Sequence, residues 1–140
     1  MHSVVLDTNV FIAALRSRRG ASFAILRRIG HGWVPLISVP LILEYEAVGK
    51  REAQRLKIPE STVDAIVSAF CFLGRETDIH FRLRPFLPDP GDEFLLELAV
   101  AGRADAIVTH NVRHFVDADR FGIQVLTPRE FLRTMEGEGI

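Results

Sequence analysis

Short apolar runs alternate along this chain with longer segments whose apolar residues recur at every third or fourth position. The short runs are rich in Val, Ile and Leu, which is typical of strands buried on both faces. The longer segments have the spacing of helices with one apolar side. The pattern predicts strands at residues 3–7, 33–38, 77–83, 106–108 and 123–126. It predicts helices at residues 10–16, 21–30, 38–56, 63–73, 92–101 and 128–135.

Local signals mark where two of these helices begin. Ser38 supplies an N-cap hydroxyl, and Pro40 suits the first turn of the helix that follows. Thr127 and Glu130 have the spacing of a capping box, and Pro128 between them occupies the first helical position. A terminal helix is therefore expected from residue 128 onward.

The order of the elements predicts the fold class. Strands that alternate with helices form βαβ units, whose parallel sheet has helices on both faces. With 140 residues, 48% of them hydrophobic, the chain is long enough for one core and too short for two ordinary domains. We therefore expect a single α/β domain over residues 1–140.

The cysteine content and the apolar stretches indicate a compartment. Cys71 lies in the apolar run 69–73, so it is predicted to be a buried core thiol, and a disulfide framework is excluded. No basic leader precedes the first strand, and two prolines interrupt the longest apolar stretch, residues 34–43. Neither a signal peptide nor a membrane span is predicted. A cytoplasmic protein is expected.

The overall charge does not by itself attract a polyanion. The formal net charge is −1, so nucleic-acid binding would require a local basic patch. Two basic groups are candidates, although a solvated helix face explains each group alone. They are Arg16, Arg18, Arg19, Arg27 and Arg28, and Lys50, Arg51, Arg55 and Lys57.

Two acidic residues stand where a ligand site is expected. Asp7 follows the first apolar run, at the carboxyl end of a strand, which is where ligands bind in open α/β sheets. The alternative role for Asp7 is the N-cap of the next helix. Glu44 lies among Leu41, Ala47 and Val48 on an apolar helix face, where an ionised carboxylate needs a partner. A metal ion or a buried arginine would meet that need.

A third group of acids surrounds a Pro-Gly turn. Asp89, Asp92 and Glu93 repel one another unless a cation offsets their charge. The alternative is that Asp92 and Glu93 interact with the positive end of the helix that they begin. Glu97 lies one turn after Glu93, so one of the two is expected to face solvent and the other the site. Hard cations such as Mg²⁺ and Mn²⁺ take oxygen ligands of this kind.

The segment after the fourth predicted strand brings polar residues to the same edge of the sheet. Asn111 could bind a metal ion through its carbonyl oxygen or hold a water molecule, or it could be a turn residue. His110 is a weak candidate for a zinc ligand or general base, because His31, His80 and His114 lack metal-motif spacing to it.

Taken in order, five short motifs resemble those of PIN-domain nucleases. The resemblance is to the bacterial and archaeal PIN toxins of toxin–antitoxin systems and, more distantly, to the VapC-type toxins. It covers essentially the whole chain, and the ordered set is more specific than any one motif. The motifs are Val4-Val5-Leu6-Asp7-Thr8-Asn9-Val10-Phe11, Leu43-Glu44, Asp89-Pro90-Gly91-Asp92-Glu93-Phe94-Leu95, Ala104-Asp105-Ala106-Ile107-Val108-Thr109-His110-Asn111 and Leu126-Thr127-Pro128-Arg129-Glu130-Phe131-Leu132.

The resemblance implies a fold, an activity and a set of site residues. The family fold is a three-layer α/β/α sandwich around a mostly parallel sheet, and its acids bind Mg²⁺ or Mn²⁺ and hydrolyse RNA phosphodiester bonds. Carried over by position, the acidic core is Asp7, Glu44 and Asp92, with Glu93 as an alternative third acid. The residues expected near the substrate are Asn9, Thr109, Arg16 and Arg19.

One departure from the family pattern concerns Asn111, because many PIN nucleases have an aspartate at that position. One negative charge fewer weakens metal affinity, so activity is expected to require Mn²⁺ or high Mg²⁺, or to be absent. Together with Thr109, Asn111 is expected to orient a bound water.

The toxin resemblance also implies partners, namely an RNA substrate, a small antitoxin protein and a second copy of the chain in a homodimer. Two rival interpretations are open. A phosphatase of the HAD type would need a second aspartate two residues after Asp7, where this chain has Asn9. A PIN-fold domain that binds RNA or protein without cleavage is favoured by Asn111, whereas the intact acids Asp7, Glu44 and Asp92 count against it.

Overall fold

The computed structural model describes residues 1–79 and 92–139, which form five strands and six α-helices. The strands are β1 (His2–Leu6), β2 (Trp33–Ile37), β3 (Arg75–Glu76), β4 (Ala106–Val108) and β5 (Gln124–Leu126). The helices are α1 (Thr8–Arg16), α2 (Ala21–Leu26), α3 (Val39–Leu56), α4 (Glu60–Leu73), α5 (Glu93–Ala101) and α6 (Pro128–Gly137). Two short 3₁₀ helices, Val112–Phe115 and Ala118–Phe121, lie between β4 and β5.

The sheet is parallel throughout, with the strand order β3-β2-β1-β4-β5. Three residues of β1, Val4 to Leu6, are fully buried, as expected for a central strand that is covered on both faces. Helix α5 packs against β1, β2 and β4, while α1 packs on α2 and α3, and α6 packs on α2 and β5. The predicted α/β/α sandwich is therefore confirmed.

The strand order creates a switch point beside β1. From β1 the chain continues to β2 and β3 on one side, and it returns to β4 and β5 on the other. Loops leaving β1 and β4 diverge at such a point, and the crevice between them is the usual ligand position in open α/β sheets. Asp7 follows β1 and Thr109 follows β4, so the topology places both at this crevice.

The third strand differs from the prediction. It was expected at residues 77–83, whereas the described strand is Arg75–Glu76, and residues 80–83 lie outside the described part of the chain. Pairing explains the shift, because Leu36 and Ile37 at the end of β2 pair with Arg75 and Glu76. The local pattern of residues 77–83 carries no information about that pairing.

An aromatic cluster holds α3 and α4 against α1. The rings of Phe11 and Tyr45 stack with centroids 5.3 Å apart, and Phe70 lies against both. Gly49 allows this close approach, because a Cβ there would lie 2.8 Å from a Phe11 ring carbon and 2.9 Å from Val63 Cγ1. The cluster fixes the start of α3, which carries Glu44 and Tyr45, beside the start of α1.

The prediction that Cys71 is a buried core thiol is wrong, because Cys71 is exposed. The inward face of α4 is formed by Val63, Val67 and Phe70. At about 100° per residue, Cys71 is turned away from Phe70 around the helix axis, and Phe72 is turned farther still. The apolar run 69–73 therefore wraps around the helix instead of facing the core on every side.

The longest described helix, α3, has 18 residues, and no helix in the described ranges is both long and apolar enough to cross a membrane. The side chain of Ser38 caps α3 by accepting a hydrogen bond from the Leu41 amide. The capping box between Thr127 and Glu130 is present at the start of α6. Both predicted helix starts are therefore confirmed.

An ion-pair cluster joins α1 to α3. Arg16 Nε donates to Glu52 Oε1 at 2.8 Å, and Arg55 also binds the Glu52 carboxylate. Hydrogen bonds from Arg55 and Arg16 lower the pKa of Glu52 from 4.5 to about 2. Since the folded-state pKa lies below the unfolded value, this stabilisation is present above about pH 4.5 and is lost as the pH falls to about 2.

We therefore expect Glu52→Gln to lower the free energy of unfolding at pH 7, with a difference from the wild type that shrinks between pH 4.5 and 2. Urea denaturation at several pH values measures this difference. Glu46→Gln is the matched control, because among the described residues Glu46 pairs with Lys50 on its own helix. A Glu52→Gln effect that does not change with pH would contradict the ion-pair assignment.

Candidate functional site

Asp7 lies at the start of α1 with its carboxylate turned toward β4. It occupies the N-cap position, but its side chain does not form the capping hydrogen bond of that position. Its Oδ2 accepts a hydrogen bond from Thr109 Oγ1 at 2.8 Å. The Asp7 backbone amide extends the hydrogen bonding between β1 and β4 by donating to the Val108 carbonyl at 2.9 Å. The side chain therefore bridges the ends of β1 and β4 at the switch point.

The pKa of Asp7 is raised, first by burial and then by the charge of Asp92, while the Thr109 hydrogen bond lowers it. Asp7 is only 8% exposed, so removal from water penalises its ionised form. The contribution from Asp92 shows that the two carboxylates lie close enough to repel each other. Asp7 and Asp92, which are distant in the sequence, therefore belong to one electrostatic site.

Thr109 is the centre of a small hydrogen-bond network at the ends of β1 and β4. Besides donating to Asp7, its fully buried Oγ1 accepts from the Asn111 amide at 2.9 Å. Asn9 Nδ2 lies 3.5 Å from the same oxygen, and Asn9 Oδ1 accepts from the His110 amide at 3.3 Å. The structure thus brings Asn9, Thr109 and Asn111 together beside Asp7.

Glu44 reaches the same region from α3. Its Oε2 accepts a hydrogen bond from Thr8 Oγ1. The partner that we expected for a carboxylate on an apolar helix face is therefore a hydroxyl group. The next residue, Tyr45, is fully buried and donates its hydroxyl hydrogen to the Leu6 carbonyl. Burial raises the pKa of Tyr45 well above its usual value, and the charges of Asp7 and Glu44 raise it further. Both carboxylates therefore lie near this hydroxyl.

Asp92 is the residue immediately before α5, and its side chain does not cap that helix either. Its Oδ2 lies 2.8 Å from Nδ1 of His114, which belongs to the first 3₁₀ helix after β4. Glu93 and Glu97 are 1% and 3% exposed, so the expectation that one of them faces solvent is wrong. The reason is that α5 lies across three strands of the sheet and is enclosed on most sides. Asp89 lies outside the described residues.

The two arginines predicted near the substrate lie at the far end of α1. Arg16 is the last residue of α1, about 12 Å along the helix axis from Thr8, and it binds Glu52. Arg19 is exposed in the turn that follows. The structure thus separates both from the Asp7 carboxylate, and their contact with a substrate stays a prediction.

Two residues of the site were missed in the sequence. His114 was set aside because it has no metal-motif spacing to another histidine, yet its partner is a carboxylate 22 residues earlier. Tyr45 was not singled out in the sequence. Its position directly after Glu44, together with its need for a hydrogen-bond acceptor when buried, was the available signal.

The donor chemistry of the site fits a hard divalent cation. Asp7, Glu44 and Asp92 offer carboxylate oxygens, which Mg²⁺ and Mn²⁺ prefer. A cation between Asp7 and Asp92 would also offset the repulsion that raises the Asp7 pKa. Within residues 1–79 and 92–139, no three His, Cys, Asp or Glu side chains lie together as a preformed metal-binding group. The fit therefore rests on the type of donor and on the closeness of the two aspartates.

Comparison with known protein families identifies the class. The family model described as PIN domain matches residues 3–113, which include β1 to β4 and the site from Asp7 to Asn111. The chain therefore belongs to the PIN domain family, whose members are generally nucleases that depend on divalent metal ions. No curated protein matches the chain.

Proposed function

We propose that this PIN domain is a cytoplasmic, metal-dependent endoribonuclease that hydrolyses RNA phosphodiester bonds and acts as the toxin of a toxin–antitoxin pair. What supports the nuclease assignment is the position of Asp7 at the switch point, where its carboxylate is buried and is influenced by the charge of Asp92. Burial and mutual repulsion raise the pKa of Asp7, which disfavours two ionised aspartates there unless a cation is bound.

In this proposal Asp7 and Asp92 hold Mg²⁺ or Mn²⁺, and Glu44 and Glu93 are the further acids. The ion would lower the pKa of a water molecule and offset charge on the phosphate oxygens. Thr109 keeps the Asp7 carboxylate in place through its hydrogen bond. Glu44 is anchored through Thr8, and Asn111 lines the adjoining groove, where its amide group can orient a water molecule.

Two neighbouring grooves beside the site support a polyanionic substrate. One, of about 310 Å³, is lined by His110, Asn111, Val112, Arg113, His114 and Thr127. The other, of about 270 Å³, shares His110 and Thr127 and continues to Arg129. None of the described lining residues is acidic, although the whole chain contains 18 Asp and Glu residues. Arginines that line a groove favour contact with a phosphate backbone.

Replacing Arg113 and Arg129 by Gln is expected to raise KM for RNA and leave kcat unchanged. Phosphate contacts contribute to binding independently of sequence, so each removed contact should reduce the salt slope of binding by about 1. Fluorescence anisotropy with RNA at several salt concentrations measures the slope. Arg103→Gln is the control, since it removes the same charge from the exposed turn before β4, outside both grooves. Equal effects of all three substitutions would contradict the groove assignment.

The function itself is tested by incubating the purified chain with a mixed pool of labelled RNAs in Mg²⁺, Mn²⁺ or EDTA. The Asp7→Asn variant, prepared in parallel, exposes contaminating nucleases. Cleavage that requires the metal and disappears in the variant is the expected result. A folded protein that binds Mn²⁺ but cleaves no RNA in the pool would contradict general ribonuclease activity.

A non-catalytic PIN domain is the second candidate, and Asn111 is the observation that favours it. An amide in place of a carboxylate removes one charge that would attract the metal. Mn²⁺ titration separates the candidates, because an ion that binds only the folded state raises the melting temperature. Absence of any shift up to millimolar Mn²⁺ would favour the non-catalytic domain.

The toxin part of the proposal includes a homodimer and an antitoxin partner. Helix α4 buries Val63, Val67 and Phe70 in the core but leaves Phe72 exposed, and α3 leaves Val39 and Leu43 exposed. Exposed apolar side chains are compatible with contact to another protein. Light scattering of the purified chain tests the dimer, and a monomeric mass would contradict the dimer while leaving the nuclease assignment standing.

A further inference from the structure

The contact between His114 and Asp92 connects two elements that are separate in the sequence. His114 belongs to the 3₁₀ helix Val112–Phe115, whereas Asp92 immediately precedes α5. Their Nδ1 and Oδ2 atoms are 2.8 Å apart. An ionised carboxylate only accepts hydrogen bonds, so Nδ1 of His114 carries the hydrogen that it donates.

His114 is itself held in place by the loop after β4. Its backbone amide donates to the Asn111 carbonyl at 2.9 Å, and Asn111 in turn donates its amide to Thr109. The next residue, Phe115, is buried in the core and anchors the 3₁₀ helix. The imidazole therefore extends from a fixed segment, and its contact restrains the rotation of the Asp92 carboxylate.

We propose that His114 is a positioning residue that fixes the Asp92 carboxylate beside Asp7 for metal binding. The proposal rests on the proposed function, because it assumes that Asp92 is a ligand. Hydrogen bonds to ligating carboxylates set their orientation, and loss of such a partner typically reduces metal affinity or activity by about 10- to 100-fold. None of the sequence motifs assigns a carboxylate-positioning role to a histidine.

The described residues offer a matched comparison in a second histidine–carboxylate pair. His2 on β1 contacts Glu138 at the end of α6. The Glu138 side chain is 48% exposed, whereas the Asp92 side chain is 17% exposed and acts on the pKa of Asp7. The two pairs have the same chemistry, but only the His114 pair adjoins the carboxylates of the candidate site.

The test measures the Mn²⁺ dissociation constant by calorimetry in the full chain. We expect His114→Leu to weaken Mn²⁺ binding by about 10- to 100-fold, and His2→Leu to leave it unchanged. His114→Asn, whose amide can still donate from near the Nδ1 position, should stay within about 3-fold of the wild type. In RNA cleavage at subsaturating Mn²⁺, kcat should fall while KM for RNA changes little.

His114→Ser is measured in parallel, so that a folding defect of the leucine variant does not decide the outcome. Melting temperatures without metal identify any such defect. Wild-type affinity for Mn²⁺ in folded Leu and Ser variants would overturn the positioning role and leave the nuclease proposal intact. No Mn²⁺ binding by the wild type would overturn both proposals.

Discussion

Asp7→Asn is expected to reduce metal-dependent RNA cleavage by about 10²- to 10³-fold, since removing a carboxylate that holds the ion forfeits several kcal/mol of charge stabilisation. The substitution keeps the volume of the side chain. The amide oxygen can still accept the hydrogen bond from Thr109 that Asp7 accepts now. The loss should therefore arise from charge and not from a change of fold.

The same substitution is expected to leave the metal-free protein at least as stable as the wild type. Burial and the neighbouring Asp92 raise the pKa of Asp7, so the ionised form is disfavoured in the folded state. Lower activity with unchanged or higher melting temperature indicates a residue that is present for function at the expense of stability.

Asp105→Asn is the matched control for this experiment. Asp105 lies just before β4, at the opposite edge of the sheet from Asp7, and its Oδ2 accepts from the Ser3 amide at 2.8 Å. It should retain wild-type cleavage and Mn²⁺ affinity. Full activity in Asp7→Asn, or an equal loss in Asp105→Asn, would contradict the assignment of Asp7 as a ligand.

The parts of the fold that could be predicted depend on signals within a few residues. The N-cap of Ser38 and the capping box of Thr127 and Glu130 each occupy four consecutive residues, and both are present. Strands β1 and β4 could be recognised from their uninterrupted apolar residues, because both faces of a central strand are buried. The carboxyl ends of parallel strands lie at the same edge of a sheet. Asp7 directly follows β1 and Thr109 directly follows β4, so both are expected at that edge.

The parts that could not be predicted depend on pairing between distant segments. The position of β3 is set by Leu36 and Ile37, about 40 residues earlier in the chain, as the pairing with Arg75 and Glu76 shows. His114 has no visible role until Asp92 is placed opposite it. The same limit applies to helix faces, where Cys71 was expected inside but lies just beyond the buried arc of α4.

Thr109→Val is the second substitution with a large expected effect, because it removes one hydroxyl from the centre of the network. The Asp7 carboxylate loses its side-chain donor, and the Asn111 amide loses its acceptor. Leaving buried polar groups unsatisfied should lower the free energy of unfolding by about 1–3 kcal/mol. A ligating carboxylate without its supporting hydrogen bond should also bind Mn²⁺ about 10- to 100-fold more weakly.

Thr109→Ser separates the hydroxyl from the packing of the methyl group. Serine keeps both hydrogen bonds and loses one buried methyl, so its loss of stability should be about 1 kcal/mol and its Mn²⁺ affinity should be close to that of the wild type. Urea denaturation and calorimetric Mn²⁺ titration measure the two effects on the same samples. If valine and serine weaken Mn²⁺ binding equally, the methyl group and not the hydrogen bond positions Asp7, and the network has no role in holding the metal.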